Sequence, residues 1–403
     1  MANSLTAFNP KYWSKRMQMV HEKEVVYRAI CNFEEREVLR DGDTVARPYR
    51  SAMVPQTYTK GTAVTIQDVT ATEETLVVNV AKIVPFYVDD LDRIQNKWNT
   101  VDAFSEDASN DLYQIVDGDV LGEYDQATST LDNYDFGGTL GDGLTITTSN
   151  ILQVFARASK KLDALNIKAK DRFAVISPQF KQVLVEYLGG KESLLGDSTG
   201  ENGNIGRYGG FELYVSNALG WSASLAFGTN PTADDTVVIN GVTFTFKATP
   251  AAAGQVDIGA DAAASLVLLV AAVNNTNGYA AGAGSATAYF EVSAADRAKL
   301  AGVVATNATS AMTLKGEGVS YLVVSETLTA AADIWTLAKQ IQHNLFGKKK
   351  AIDLVIQKAP SVEFRMVQDK LGRNVLPWVL YGLKTFAEGK PMLVDVKMRS
   401  DAF

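Results

Sequence analysis

The chain alternates between stretches with a two-residue hydrophobic repeat and stretches with a repeat near 3.6. Residues 44–88 are rich in Val, Thr and Ile, with turn signals at Pro55, at Gly61 and around 70–74. Leu76, Val78 and Val80 alternate with Val77, Asn79 and Ala81, and the pattern runs on through Ile83. Thr62–Ile66 alternates in the same way. Strict alternation marks a strand, so 44–88 reads as one long hairpin with a polar tip. Much of such a hairpin finds no partner inside its own domain. An exposed hairpin of this length invites edge pairing unless another subunit covers it, which makes it a candidate interlocking arm.

Helical spacing appears in three places. Val101, Phe104, Ala108, Leu112 and Ile115 recur at intervals of three and four, predicting a helix over 101–125. Ile151, Phe155, Ala158, Leu162 and Leu165 predict a second over 150–165, with Thr148, Ser149 or Asn150 as its cap. Arg172–Ser177 reads as a buried strand, and Pro178 opens a helix over 179–188, since proline suits a first helical turn. After the glycine-rich run 189–210, Phe211–Ser216 is again a strand. Residues 150–220 therefore predict a compact α/β unit.

The composition then shifts. Of the 61 residues in 251–311, 21 are alanine. Residues 235–247 read as a hairpin turning on Asn240–Gly241, the strongest short hairpin signal. A helix is expected near 260–273 and another over 294–300, with strands at 289–292, 312–314 and 321–324. Residues 222–334 thus predict a small self-contained α/β domain inserted at an exposed loop. Beyond it, Ile334–Asn344 is expected to be helical, and Ser361–Gln368, Val375–Phe386 and Leu393–Lys397 to be strands. The first forty residues are polar with scattered aromatics, Tyr12 and Trp13 among them, and a thin helix over Lys11–Val26. Such a segment orders best against a neighbouring surface.

Composition narrows the chemistry. The 403 residues suit two or three domains, and 46% hydrophobic with 21% charged residues allows sizeable cores. A net charge of −8 argues against holding nucleic acid by bulk electrostatics. One cysteine, Cys31, and two histidines, His21 and His343, leave no disulfide, no His/Cys metal cluster and little scope for histidine-driven catalysis. Lys191 is followed by Glu192 where a phosphate loop needs Ser or Thr, and no GxSxG elbow occurs. The acidic run LDNYDFGGTLGDG (131–143) breaks the calcium-loop pattern and reads as a turn. No catalytic, metal or cofactor site is expected. No secretion signal or spanning segment is visible, so the chain reads as soluble and made in the cytoplasm. The window 101–125 holds eight acids and no Lys or Arg. It is either a solvated face or an acidic rail against a basic neighbour. The triplet Lys348–Lys350 reads as solubilising or inter-subunit. Large interface-prone elements without a reaction centre point to a structural assembly protein.

The order of these elements resembles the major capsid protein of tailed double-stranded DNA bacteriophages, whose fold is shared with herpesvirus capsids and encapsulins. The carriers are the arm and hairpin, AKIVPFYVDDLDRIQNKWNTVDAFSEDASNDLYQIVDGDVLGEYD (81–125), RFAVISPQFKQVLVEYL (172–188), IGRYGGFELYVSNAL (205–219), NLFGKKKAIDLVIQKAP (344–360) and VLYGLKTFAEGKPMLVDVKM (379–398). The resemblance covers 1–220 and 336–403; the block 222–334 departs from it. It implies an α+β fold with an N-terminal arm (1–43), an extended β-hairpin loop (44–88) and a peripheral domain with a spine helix (89–165 and 376–403). It further implies an axial domain (166–221 and 335–375) carrying the inserted domain (222–334), which is expected on the outer face. A homo-oligomer of pentamers and hexamers in an icosahedral shell follows, enclosing double-stranded DNA without sequence-specific binding. Portal and scaffold or cement proteins are the implied partners, and no membrane. The implied inter-subunit contacts are Trp13, Arg47, Tyr58, Lys60, Asp102, Glu106, Asp111, Lys348 and Lys349. Some relatives crosslink a lysine to an asparagine, and Lys60 sits suggestively at the hairpin tip; Arg47–Pro48 and Pro85 are the implied hinges. An encapsulin-like compartment shell, or a phage decoration or tail protein, is the alternative. A hydrolase or binding protein using Asp257 or Asp261 is a third reading.

Overall fold

A computed structural model describes residues 24–36, 42–50, 53–68, 71–95, 100–190, 206–276, 288–308, 311–319, 321–329, 334–335, 340–367 and 371–399. Trp13, residues 11–23 of the helix expected over Lys11–Val26 and the glycine-rich residues 191–205 lie outside them; residues 24–26 are described and are not helical. The first element is a single turn, Tyr27–Ile30 (α1). It is tied to the body by Asp117, whose Oδ1 accepts the backbone N–H groups of Val26 at 2.8 Å and Tyr27 at 2.7 Å.

Thr44–Arg50 (β1) and Ala71–Val77 (β2) form the arm hairpin, with Thr44 opposite Val77 and Arg50 opposite Ala71. The arm is therefore 44–77 and not 44–88. Its strands pair by their distance from the tip, so Thr62–Ile66 lies in the loop and is not a strand. Past β2, Val78 turns into the core, and Val80–Ile83 (β3) joins a different sheet.

That peripheral sheet comprises β3, Phe86–Asp89 (β4) and two long late strands, described below. Asp90–Gln95 (α2) and Thr100–Gly122 (α3) follow β4. Leu112, Val116 and Val120 recur at four-residue spacing and are fully buried, so α3 lies on the sheet as a spine.

The central sheet collects most of the remaining strands. In chain order the elements are Ser129–Leu131 (β5), Ile151–Ala164 (α4), Arg172–Ile176 (β6), Pro178–Gly189 (α5), Arg207–Tyr208 (β7), Phe211–Val215 (β8) and Trp221–Ala226 (β9). Ser177 caps α5 by accepting the Phe180 N–H at 3.1 Å, ahead of Pro178 in the first turn. α4 packs with α5 on the central sheet, through Phe155, Phe180, Phe211 and Phe346. It therefore sits with 166–221 and not with the spine helix, because its apolar stripe matches β6 and β8.

The block after β9 contains Thr236–Ile239 (β10), Val242–Lys247 (β11), Gln255–Asp257 (β12), Ala262–Asn274 (α6) and Ala294–Lys299 (α7). Val303–Ala308 (β13), Ala311–Gly316 (β14) and Val324–Thr327 (β15) complete it. Asn240 and Gly241 both have positive φ, 48° and 75°, the geometry a two-residue primed turn requires. β12, β11, β10 and β15 form a separate sheet, and Phe244, Phe246, Leu266 and Leu269 fill its core against α6. The expected strand at 289–292 is reduced to a bridge between Tyr289 and Val256.

The insertion has its own core but not its own edge. β14 pairs with β9, Gly316 opposite Trp221, so the β13–β14 hairpin prolongs the central sheet. The boundary expected at 222 thus runs through a continuous ladder.

Ile334–Trp335 (β16) and Ile341–Lys348 (β17) are strands where a helix is expected. The polar residues Gln342, His343 and Asn344 obscure the alternation, yet all three are buried, and His343 and Asn344 find side-chain hydrogen bonds on neighbouring elements. Asn344 Oδ1, for instance, accepts Ser177 N–H at 2.8 Å. Asp353–Met366 (β18) and Gly372–Lys384 (β19) then pair along most of their length and carry β3 and β4 at the β19 edge. Leu393–Arg399 (β20) returns to the central sheet on β17, with β5 parallel beside it. A division at 375/376 would separate β18 from β19, which adjacent antiparallel partners forbid.

Candidate assembly interface

The base of the arm is fixed to its own body. Val45, Leu76 and Val78 bury against Val355 and Phe386. Arg47, opposite Glu74 in the ladder, reaches Asp353 at 3.1 Å, Glu388 at 2.6 Å and Glu35, and its guanidinium stands 4.3 Å from the Phe386 ring centroid. Asp353 is 3% exposed; burial raises its carboxyl pKa, against the hydrogen bond from Asn32 and the charge of Arg47. Lys384 Nζ donates to the Thr75 carbonyl at 2.7 Å, and Glu74 accepts Ala387 N–H at 2.8 Å. Arg47 is thus committed within the chain, and a hinge at Arg47–Pro48 would have to break this set.

The tip is the opposite. Residues 53–68 are all exposed, with Met53, Val54, Tyr58, Val64 and Ile66 among them, the last at 88%. The side-chain amide of Gln67 replaces a ladder rung, donating to the Val54 carbonyl at 2.5 Å and accepting Val54 N–H at 3.2 Å. Thr62 closes the turn on the Thr59 carbonyl at 2.6 Å, and exposed Lys60 sits within that turn. An apolar loop held out in water on a rigid stem is a surface awaiting a cover.

The acids of 101–125 do not form one rail. Glu106 and Asp111 are exposed on the first half of α3, near the exposed Phe104. The Asp102 side chain lies outside the described residues. Three later acids turn inward, Asp117 to α1, Asp119 to the Tyr381 hydroxyl and Glu123 to Thr385 Oγ1 at 2.7 Å, while exposed Asp125 pairs with Lys315. Glu317, beside β14, lies against Gly122. Burial pushes the carboxyls of Glu123 and Glu317 upward; Asp125 adds to the shift at Glu123, and Asp119 and Asp125 add to it at Glu317.

The basic triplet is partly spent too. Lys349 Nζ donates to Glu212 and to the Tyr214 hydroxyl, both at 2.9 Å, and Lys350 pairs with Glu34 at 2.6 Å. Lys348 is half-buried at the end of β17. In 131–143 the Asp132 carboxylate accepts the N–H groups of Tyr134 at 3.1 Å and Gly141 at 2.7 Å, closing a turn. Among the described residues no cluster of three or more His, Cys, Asp or Glu is placed to hold a metal, and no helix is long and apolar enough to cross a membrane.

One constellation has no counterpart in the sequence reading. Ser222 on β9, His343 on β17 and Asp395 on β20 meet on one face of the central sheet. His343 falls in the segment expected to be helical, so the alternation that aligns the three residues is legible only after β17 is known to be a strand.

No protein-family model and no curated protein matches the chain. Solved structures do. A chain of Mycobacterium phage Che8 superposes with a TM-score of 0.57 at 15% identity, over 97% of this chain and 98% of that one. A chain from the capsid structure of the cyanophage P-SCSP1u superposes with a TM-score of 0.53 at 11% identity, over 98% and 94%. The chain therefore has the α+β fold seen in phage capsid structures.

Proposed function

We propose that the chain is the major capsid protein of a tailed double-stranded DNA phage. The observation that carries this reading is the near-full-length match in fold, 97% of this chain against 98% of its neighbour. The arm supports it physically: a stem locked by Arg47 and Phe386 presents an exposed apolar loop, and a second copy of the chain is the natural cover. Copies assemble as pentamers and hexamers into an icosahedral shell, within the host bacterial cytoplasm, and the shell becomes part of the virion. The net charge of −8 suits a container that encloses DNA without gripping it. Portal and scaffold or cement proteins complete the particle, and the insertion sits on the outer face beside the axial part. Tyr58 and Lys60 on the tip, Glu106, Asp111 and Asp102 on the spine helix, Lys348 and Trp13 contact neighbouring copies. Arg47 and Lys349 serve these contacts by fixing the surfaces that bear them.

Negative-stain microscopy of the purified chain, alone and co-expressed with scaffold and portal proteins, tests the proposal. Closed shells or rings of five and six are the expected result. A strictly monomeric species under all of these conditions overturns it.

A further inference from the structure

Three strands from distant parts of the chain bring together a serine, a histidine and an aspartate. Ser222 Oγ lies 2.8 Å from His343 Nε2, and His343 Nδ1 lies 2.9 and 2.8 Å from the two Asp395 oxygens. The alignment follows from register. Ser222 is opposite Ile341, two residues before His343, and His343 is opposite Lys397, two residues after Asp395. Directly opposed residues, and residues two apart on one strand, share a face, so all three side chains rise from the same side. The Tyr124 ring stacks on the imidazole at 3.8 Å and 13°, fixing its plane.

With a neutral imidazole, one set of hydrogen-bond directions fits this geometry. A buried carboxylate only accepts, so Nδ1 carries a proton toward Asp395. In the neutral ring Nε2 is then the acceptor, and the Ser222 hydroxyl donates to it. A serine donating to a base that is itself oriented by a carboxylate is the arrangement of an activated nucleophile. His343 and Asp395 are buried, while Ser222 is half-exposed and borders a cavity of about 310 Å³. Lys397 lines the same cavity, with Leu140, Thr313 and Ser224. Lys397 brings a positive charge to the cavity wall, where the Asp142 carboxylate also lies. Of the other charges near the array, Lys315, Asp125 and Glu317 lie beyond Tyr124, with Lys315 over its ring.

We infer that Ser222 is an acyl-accepting nucleophile, with His343 as its general base and Asp395 as the positioning residue, and that the cavity takes the acyl group of a small carboxylic ester. In the forward step Ser222 Oγ bonds to the ester carbonyl carbon. Its proton passes to His343 Nε2 and then to the departing alkoxide as the acyl C–O bond breaks, leaving an acyl-serine and an alcohol. This activity is independent of assembly and stands or falls separately from it.

The test uses the full-length chain, before and after assembly, with a fluorophosphonate probe read by intact mass and peptide mapping. In the labelling reaction a Ser222 O–P bond forms, the P–F bond breaks, and fluoride leaves with the serine proton. A single adduct on Ser222 is expected, absent in Ser222→Ala. In His343→Gln the labelling rate should fall by roughly 10²–10⁴-fold, the usual contribution of a general base. Asp395→Asn should alter the pH profile of labelling in a chain whose melting temperature and circular dichroism show it folded, a change that a purely structural role would not produce. Release of p-nitrophenolate from p-nitrophenyl acetate, as the acetyl group passes to Ser222, should follow the same order. Absence of an adduct, an adduct elsewhere, or a Ser222 rate equal to that of the heat-unfolded chain overturns the inference.

Discussion

A Cβ placed on Gly118 would lie 2.7 Å from the Cα of Gly318. The spine helix and the loop after β14 therefore touch backbone to backbone, with no side chain between them. Gly318 itself has φ +66°, a conformation that favours glycine. This contact seats the inserted block on α3. Gly118→Ala forces the two apart, a strain of about 1–3 kcal/mol. The expected outcome is a lower melting temperature and faster hydrogen exchange in 311–319, measured on the unassembled chain.

Around that contact sit four carboxylates, Asp119, Glu123, Asp125 and Glu317, with Lys315 the cation that pairs with Asp125. The folded carboxyls of Glu123 and Glu317 titrate above their unfolded range. A raised acid favours the folded state when protonated, so its stabilisation is complete below the unfolded carboxylate pKa and is lost as pH rises through the folded one. The seat should therefore tighten under mild acid. Glu317→Gln is expected to raise the melting temperature by a few degrees at neutral pH and to flatten its pH dependence, as followed by calorimetry.

Arg47→Ala leaves buried Asp353 without its cation. A loss of about 3 kcal/mol is expected in denaturant unfolding, the lower end for breaking a buried ion pair. Arg47→Lys should recover only part of this, because an ammonium cannot span Glu35, Asp353 and Glu388 while covering the Phe386 ring.

The tip offers the converse experiment. The double variant Met53→Asp, Ile66→Asp changes exposed side chains only, so folding stability should stay within about 0.5 kcal/mol. Sedimentation and microscopy should nevertheless show that particle formation is lost. Retained assembly would mean that the loop is not a contact.

The arm, the spine helix, α5 and the Asn240–Gly241 hairpin are legible in sequence because each rests on local physics: alternation, spacing, a proline in the first turn, a primed turn. What is not legible depends on distant partners. Nothing local says that Thr44–Arg50 pairs with Ala71–Val77 while Thr62–Ile66 pairs with nothing. His343 and Asn344 look like a break in an apolar pattern until Ser222, Asp395 and Ser177 supply hydrogen bonds to them. The inward turn of Asp117 and Asp119 is equally hidden, because charge composition does not show which acids face a backbone N–H or a tyrosine.

β17 is bonded along both edges, to β20 on one side and to β6 and β9 on the other. A load entering at β9 passes through its paired positions on β17, Ser222 opposite Ile341 and Trp221 opposite Gln342, and from there into the β20 and β6 ladders. The excursion from Trp221 to Trp335 is thus spliced into a continuous sheet, and material hung there would transmit strain to the body through paired strands.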